Sequence, residues 1–236
     1  MSPNYATEIV PLVLELEGRG LVTRTFRRLD PDRQQAVIDA IMTEAGERGP
    51  AEINIKQVAA RAGVSVGSLY QYFGSREKLL EFSVELVTRL VTGLFDGYAP
   101  MLSEMPLADG LAAYLQGGLE WAESSEAGLV RFFAKAAYQG DPALEESVVR
   151  PLGGAMRSMV EAMMDAARQR GELRENLDLE AVGRVINALL VVLGDVQLLP
   201  YLNSYFQLYD EAMTPERILS ACLDLIIRGV QREAAS

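Results

Sequence analysis

The apolar residues of this chain recur at helical spacing nearly from end to end, and no run alternates apolar and polar residues as a half-buried strand does. No Asn-Gly or Asp-Gly pair stands between two strand-like runs. That pattern restricts the chain to an all-α fold. Helix starts are marked as well. Asp30-Pro31, Asp141-Pro142 and Thr214-Pro215 each place a capping side chain before a proline at the first helical position, where the missing N–H is no loss.

A helix is expected from residue 31 to 48, with Ala36, Val37, Ala40, Ile41 and Ala45 on one face and Gly49-Pro50 ending it. Asn54 and Gln57 resemble a capping box that opens a short helix reaching about Ala62. A second short helix runs from about Val66 to Tyr72. Ser75 caps a longer one from Arg76 to about Tyr98, ended by Pro100. Pro106 opens a helix to about Ser124, and Ser125 caps the next, to about Tyr138. A long helix follows Asp141-Pro142 and stops at Gly171; Asp178 caps an apolar helix to about Leu199; Thr214-Pro215 starts the last, ending near Arg232. Residues Pro200–Met213 read as a loop with one helical turn. Before residue 30, Ile9, Val10, Val13, Leu14 and Leu16 suit a helix stripe, with Pro11 confined to its first turn.

Composition narrows the chemistry. The 236 residues include no histidine and one cysteine, Cys222. That excludes a Ser-His-Asp triad, a Cys-His dyad, a His-bearing zinc site and an intrachain disulfide. No cofactor, metal site or catalytic residue is expected. The apolar start lacks a basic lead-in, and Val185–Leu193 is too short to span a bilayer, so a soluble cytoplasmic protein without membrane contact is expected. The net charge of −11 argues at first against a nucleic-acid partner.

Residues 54–78 argue the other way. Two short helices flank a turn with Gly63, the helix-turn-helix layout. Val58, Ala59, Ala62, Val64, Leu69 and Phe73 make its small core. Ser65, Ser68, Tyr70, Gln71 and Tyr72 form the expected exposed set on the second helix, whose start can reach base edges in the major groove. Lys56 and Lys78 lie at neighbouring helix starts, where backbone amides favour phosphate. Gln57 and Val66 complete the set read as DNA-binding.

The run from Gly63 to Phe73 (GVSVGSLYQYF), followed by Ser75-Arg76-Glu77-Lys78-Leu79-Leu80, resembles the signature of the TetR (tetracycline repressor), or AcrR-like, family of bacterial transcriptional regulators. The resemblance covers roughly residues 31–80. It implies that Tyr70 and Lys78 hold the DNA backbone and that Ser65, Ser68, Gln71 and Tyr72 lie on the recognition helix. The chain departs from the family at Val66, where many members carry Lys or Arg; valine can touch a thymine methyl but no phosphate or guanine.

The acidic total is unevenly spread. Residues 19–80 hold ten Lys/Arg against seven Asp/Glu, a net of +3, whereas residues 99–236 hold eleven against twenty, a net of −9. A basic head and an acidic body suit a DNA-binding protein. Arg24, Arg27 and Arg28, close after Arg19, admit two readings: an arm that enters the minor groove or binds phosphate, or the solvated face of an extra helix that packs on the head through Leu21, Val22, Phe26 and Leu29. A mixture of the two is favoured.

The division expected is therefore an N-terminal extension at 1–30, helix or arm; a three-helix DNA-binding head at 31–80; and a helical regulatory and dimerisation body at 81–236. The apolar stripes of the last two long helices, with Val185, Leu189 and Val192 on one and Leu219, Leu223, Ile226 and Ile227 on the other, either face their own core or form a four-helix interface across a twofold axis. The family resemblance implies the interface. It also implies an apolar ligand pocket, for which Tyr114, Trp121, Phe132, Phe133, Tyr138, Met156, Met159 and Met163 are candidates, although the same residues suit a plain core. The function expected is a homodimeric repressor that binds a palindromic or near-palindromic double-stranded operator and is released by a small hydrophobic effector. A helical interaction protein without DNA binding and an all-helical enzyme are the alternatives.

Overall fold

The computed structural model describes residues 13–122, 124 and 127–232. Ile9, Val10, Pro11 and the Ser125 cap lie outside the described residues. The helices are α1 (residues 13–18), α2 (Arg24–Arg27), α3 (Pro31–Arg48), α4 (Ile55–Arg61), α5 (Val66–Phe73), α6 (Arg76–Glu104), α7 (Leu107–Ala122), α8 (Ala127–Gln139), α9 (Pro142–Leu144), α10 (Arg150–Gln169), α11 (Leu179–Leu198), α12 (Asn203–Phe206) and α13 (Pro215–Val230). Among the described residues there is no strand, only an isolated bridge between Leu173 and Gln231. Two compact units result. The first holds the described residues of Met1–Arg89 and Ser125–Phe132, the second those of Leu90–Ser124 and Phe133–Ser236.

In the first unit the local rules are obeyed closely. Asp30 accepts the Arg33 N–H at 3.0 Å and Ser65 accepts the Ser68 N–H at 2.9 Å, each filling an orphan donor of a first turn. Asn54 accepts the N–H groups of Lys56 and Gln57, but no reciprocal bond from Gln57 completes the box; the Asn54 N–H goes to the Glu44 carboxylate at 3.1 Å instead. Gly63, at φ 65°, makes the turn between α4 and α5 in a backbone conformation that costs other residues energy. The core stacks Phe26, Phe73 and Phe82, all fully buried, with ring centroids 5.0–6.0 Å apart. Each such ring contributes roughly 1.5–3 kcal/mol by leaving water. Gly128 of α8 lies so close to α3 that a Cβ there would stand 2.2 Å from the Gly46 carbonyl oxygen.

The N-terminal segment is part of this unit. Val13 and Leu16 are buried, and Glu15, Arg89, Glu85 and Arg19 form a chain of ion pairs, with Arg19 reaching Glu85 at 2.9 Å. Burial pushes the Glu85 carboxyl up, but hydrogen bonds from Arg19 and Arg89 outweigh it and hold the group below the ordinary carboxylate range.

The second unit is built on α10, whose buried face carries Met159, Val160, Met163, Met164 and Ala167. Leu107, Leu111 and Leu115 of α7, Ile186 and Leu190 of α11, and Ile226 and Val230 of α13 close over it. A smaller cluster gathers Ala134, Val196, Leu199 and Leu202.

Three helix ends differ from the sequence pattern. α6 does not stop at Pro100 but runs to Glu104. Pro100 and Asp96, four residues before it, are exposed, so the carbonyl that Pro100 cannot bond lies on the solvent side, and Arg170 donates to the carbonyls of Ser103 and Met105 at 2.5 and 2.6 Å, closing the helix end. The long helix after Asp141 is divided: α9 passes into a π-helical stretch, Glu145–Val149, before α10. Pro151 has no N–H for the carbonyl four residues back, and the wider turn before it gives its ring room. Pro200–Met213 holds two helical turns, not one: a 3-10 turn, Pro200–Leu202, and α12. Asn203 fastens the segment by accepting the Leu208 and Tyr209 N–H groups at 2.9 and 3.0 Å.

Candidate functional site

α4, the Gly63 turn and α5 present one polar surface of the first unit. Tyr70 is 44% exposed and Gln71 is exposed beside it. The Ser65 and Ser68 hydroxyls share a hydrogen bond at 2.9 Å at the start of α5. Tyr72 was expected in this exposed set, but it is 8% exposed and packs on Phe26 at 5.8 Å. Two residues along a helix turn the side chain by about 200°, so Tyr70 and Tyr72 cannot share a face.

Val66 and Tyr70 line a groove of about 480 Å³ whose other walls include Arg48, Asn54, Lys56 and Arg76. Three cations therefore edge it against one acid, Glu52. Lys56 and Gln57 are exposed on the first turn of α4, and Lys78 is exposed on the first turn of α6, where its N–H donates to Ser75. The valine that departs from the family pattern thus sits on a groove supplied with charge from other elements.

Two residues that the sequence pattern did not mark hold this surface. Glu44 is 1% exposed; besides the Asn54 N–H it meets Arg48 and Arg61, both at 3.4 Å. Thr23 donates its hydroxyl to the Gln71 carbonyl at 2.7 Å and its N–H to the Tyr72 carbonyl at 2.8 Å, covering the end of α5. The arginines near Thr23 divide. Arg27 pairs with Glu17, so it is engaged within the unit, whereas Arg24 and Arg28 are exposed and make no ion pair among the described residues.

The aromatic and methionine candidates scatter in the same way. Phe132 belongs to the first unit, beside Gly49. In the second, Met159 and Met163 are sealed in the core on α10, Phe133 is buried, and Met156 and Trp121 are half-buried. Tyr114 stacks edge-on against Phe95 at 6.4 Å. Tyr138, 43% exposed, donates its hydroxyl to Asp195 Oδ2 at 2.9 Å. Asp195 is 8% exposed: burial pushes its carboxyl up and the Tyr138 bond pulls it back, leaving it at about 6. Burial also pushes the Tyr114 and Tyr138 hydroxyls up, and the Asp195 charge adds to both. Among the described residues no group of three His, Cys, Asp or Glu could hold a metal ion.

The two apolar stripes separate in the structure. Ile226 is buried in its own unit, and Leu219, Leu223 and Ile227 pack half-buried against the same core. Val192 packs on the smaller cluster. Val185 at 60%, Leu189 at 38% and Leu225 at 68% are left exposed. Among the described residues no single helix is long and apolar enough to cross a membrane.

Two short helices across a tight glycine turn, the second showing serines, a tyrosine and a glutamine beside a cation-edged groove, define a helix-turn-helix protein. Residues 37–81 match the family described as bacterial regulatory proteins, tetR family. The HTH-type transcriptional regulator BetI 2 of Chromohalobacter salexigens is 37% identical over 71 residues, 30% of this chain and 33% of that protein, so the chain spans about a third of that relative's length. Over the whole fold the chain is similar to SmeT, the repressor of the Stenotrophomonas maltophilia multidrug efflux pump SmeDEF, with a TM-score of 0.60, 17% identity, and 86% of this chain and 94% of that one covered. The SmeT–triclosan complex gives a TM-score of 0.63 at 19% identity, covering 87% and 94%. The family match covers the helix-turn-helix segment, residues 37–81, and the likeness to the solved structures is one of fold.

Proposed function

We propose that this chain is a ligand-responsive, DNA-binding transcriptional regulator, a repressor that works as a homodimer in the cytoplasm and has no enzymatic role. The observation that carries the reading is the α5 surface: Ser65, Tyr70 and Gln71 stand exposed, with Ser68 half-buried between them, beside a groove edged by Arg48, Lys56 and Arg76. Gln71 is suited to adenine, and Lys56, Lys78, Arg24 and Arg28 to phosphate. Exposed Val185, Leu189 and Leu225 supply apolar surface for a twofold contact, which would set two recognition helices about 34 Å apart or a multiple of it. SmeT is a repressor and has been captured with triclosan, which supports a ligand site in the helical body.

Selection of bound sequences from random duplex DNA, followed by gel shifts over a salt series, tests the proposal. A symmetric or near-symmetric site should emerge. Lys78→Ala should weaken binding to every sequence and flatten the salt slope by about one unit, while Gln71→Ala should relax specificity at one base pair per half-site at a cost of about 1–3 kcal/mol. Selection that yields no enriched sequence would overturn the reading.

A further inference from the structure

Asp195 lies on α11 between the two apolar clusters of the second unit. Ile186 and Leu190 before it belong to one, Val196 and Leu199 after it to the other. Among the described residues its carboxylate receives one hydrogen bond, from Tyr138 to Oδ2, and no Lys or Arg forms an ion pair with it. The groups that feel its charge are phenols: Tyr138 from α8 and Tyr114 from α7, with Tyr201 beside Tyr138. The Tyr114 hydroxyl makes no hydrogen bond among the described residues. A carboxylate in this setting normally acquires a counter-charge, because a lone buried anion is costly. Glu44, the comparably buried acid of the first unit, has two arginines and a backbone N–H.

We propose that Asp195, Tyr138 and Tyr114 form a recognition site for an organic cation, an ammonium group carried on an apolar body. Oδ1 is open to accept an N–H from a protonated amine, and the tyrosine faces attract a cation through their ring quadrupoles. The clusters on either side of Asp195 on α11 are apolar, which favours an apolar substituent on the amine over a polar one. An anion would be repelled, and a neutral apolar molecule would leave the carboxylate unanswered. One carboxylate and two phenols are too few oxygen ligands for Ca²⁺ or Mg²⁺. The inference rests on the ligand-responsive reading above and names the class of effector.

Three probes of equal chain length test it by calorimetric titration of the full chain at pH 7.5: decylammonium, decyltrimethylammonium and neutral decanol. At least one cation should bind ten-fold or more tightly than decanol. Preference for decylammonium indicates an N–H donated to Oδ1, and preference for decyltrimethylammonium indicates the ring faces. Asp195→Asn, which can still accept the Tyr138 hydrogen bond, should lose ten-fold or more in cation affinity and leave decanol unchanged. Decanol binding as tightly as both cations, or Asp195→Asn keeping the preference, overturns the site. Should that variant not fold, the wild-type comparison of cation with alcohol decides alone. Gel shifts on the selected DNA are run in parallel. Cations that bind without altering DNA affinity leave the site standing and defeat ligand-responsive regulation; release by decanol alone does the reverse.

Discussion

The described residues bury two carboxylates, one in each unit, and the two have opposite surroundings. Glu44 is met by Arg48, Arg61 and the Asn54 N–H, all from its own unit. Asp195 is met by one phenol. The first acid is structural: it joins the end of α3 to both ends of α4 and so fixes the helix-turn-helix. The second is left electrically incomplete, a state that persists mainly where a site has a use for it. The head is therefore closed by its own chain, and the body keeps one unanswered charge.

Substituting each acid sharpens that comparison, because the signs should differ. Glu44→Ala leaves two arginines facing a cavity and an unbonded amide, and should destabilise the first unit by about 3 kcal/mol. Calorimetric unfolding measures it, and DNA binding should fall with it. Asp195→Asn should stabilise the second unit at pH 7.5. The carboxyl sits at about 6 in the folded chain against an ordinary value of 3.8. Its protonated form is favoured by folding, so the stabilisation is fully present below pH 3.8 and is lost as pH rises through 6. The gain from the substitution is of order 3 kcal/mol above pH 7, and the variant's unfolding free energy should lack the wild-type decline between about pH 4 and 6. A wild-type curve flat over that interval would break the contrast. At the small end, Arg184→Ala removes an exposed pair with Glu180 on α11 and should change stability by no more than about 0.5 kcal/mol.

Legibility followed the reach of the interactions. The caps at Asp30, Asn54, Asp178 and Thr214 act within three residues of themselves, and all accept the amides expected of them. The Gly63 turn and the stop at Gly171, both at positive φ, are equally local. What the sequence did not disclose depends on distant partners. Arg170 carries α6 beyond Pro100 from 67 residues away in sequence, and Glu44 takes the amide that a local capping box would have used. The burial of Tyr72 has a related cause, since Phe26, on which it packs, lies outside the helix-turn-helix motif. Asp195 looked like one of many acids on a charged chain; only burial sets it apart.

Thr23 bonds the last carbonyls of α5 from 48 residues upstream. An eight-residue helix is too short to persist alone in water. Its end is thus held by a segment that lies before the motif altogether. Opening α5 breaks both Thr23 bonds and uncovers Phe26 and Phe73, so the N-terminal segment and α5 form a single cooperative unit. Their amides should exchange with solvent deuterium at a common free energy of opening. The surface that would read bases is therefore as durable as the seam between residues 21–26 and 71–73.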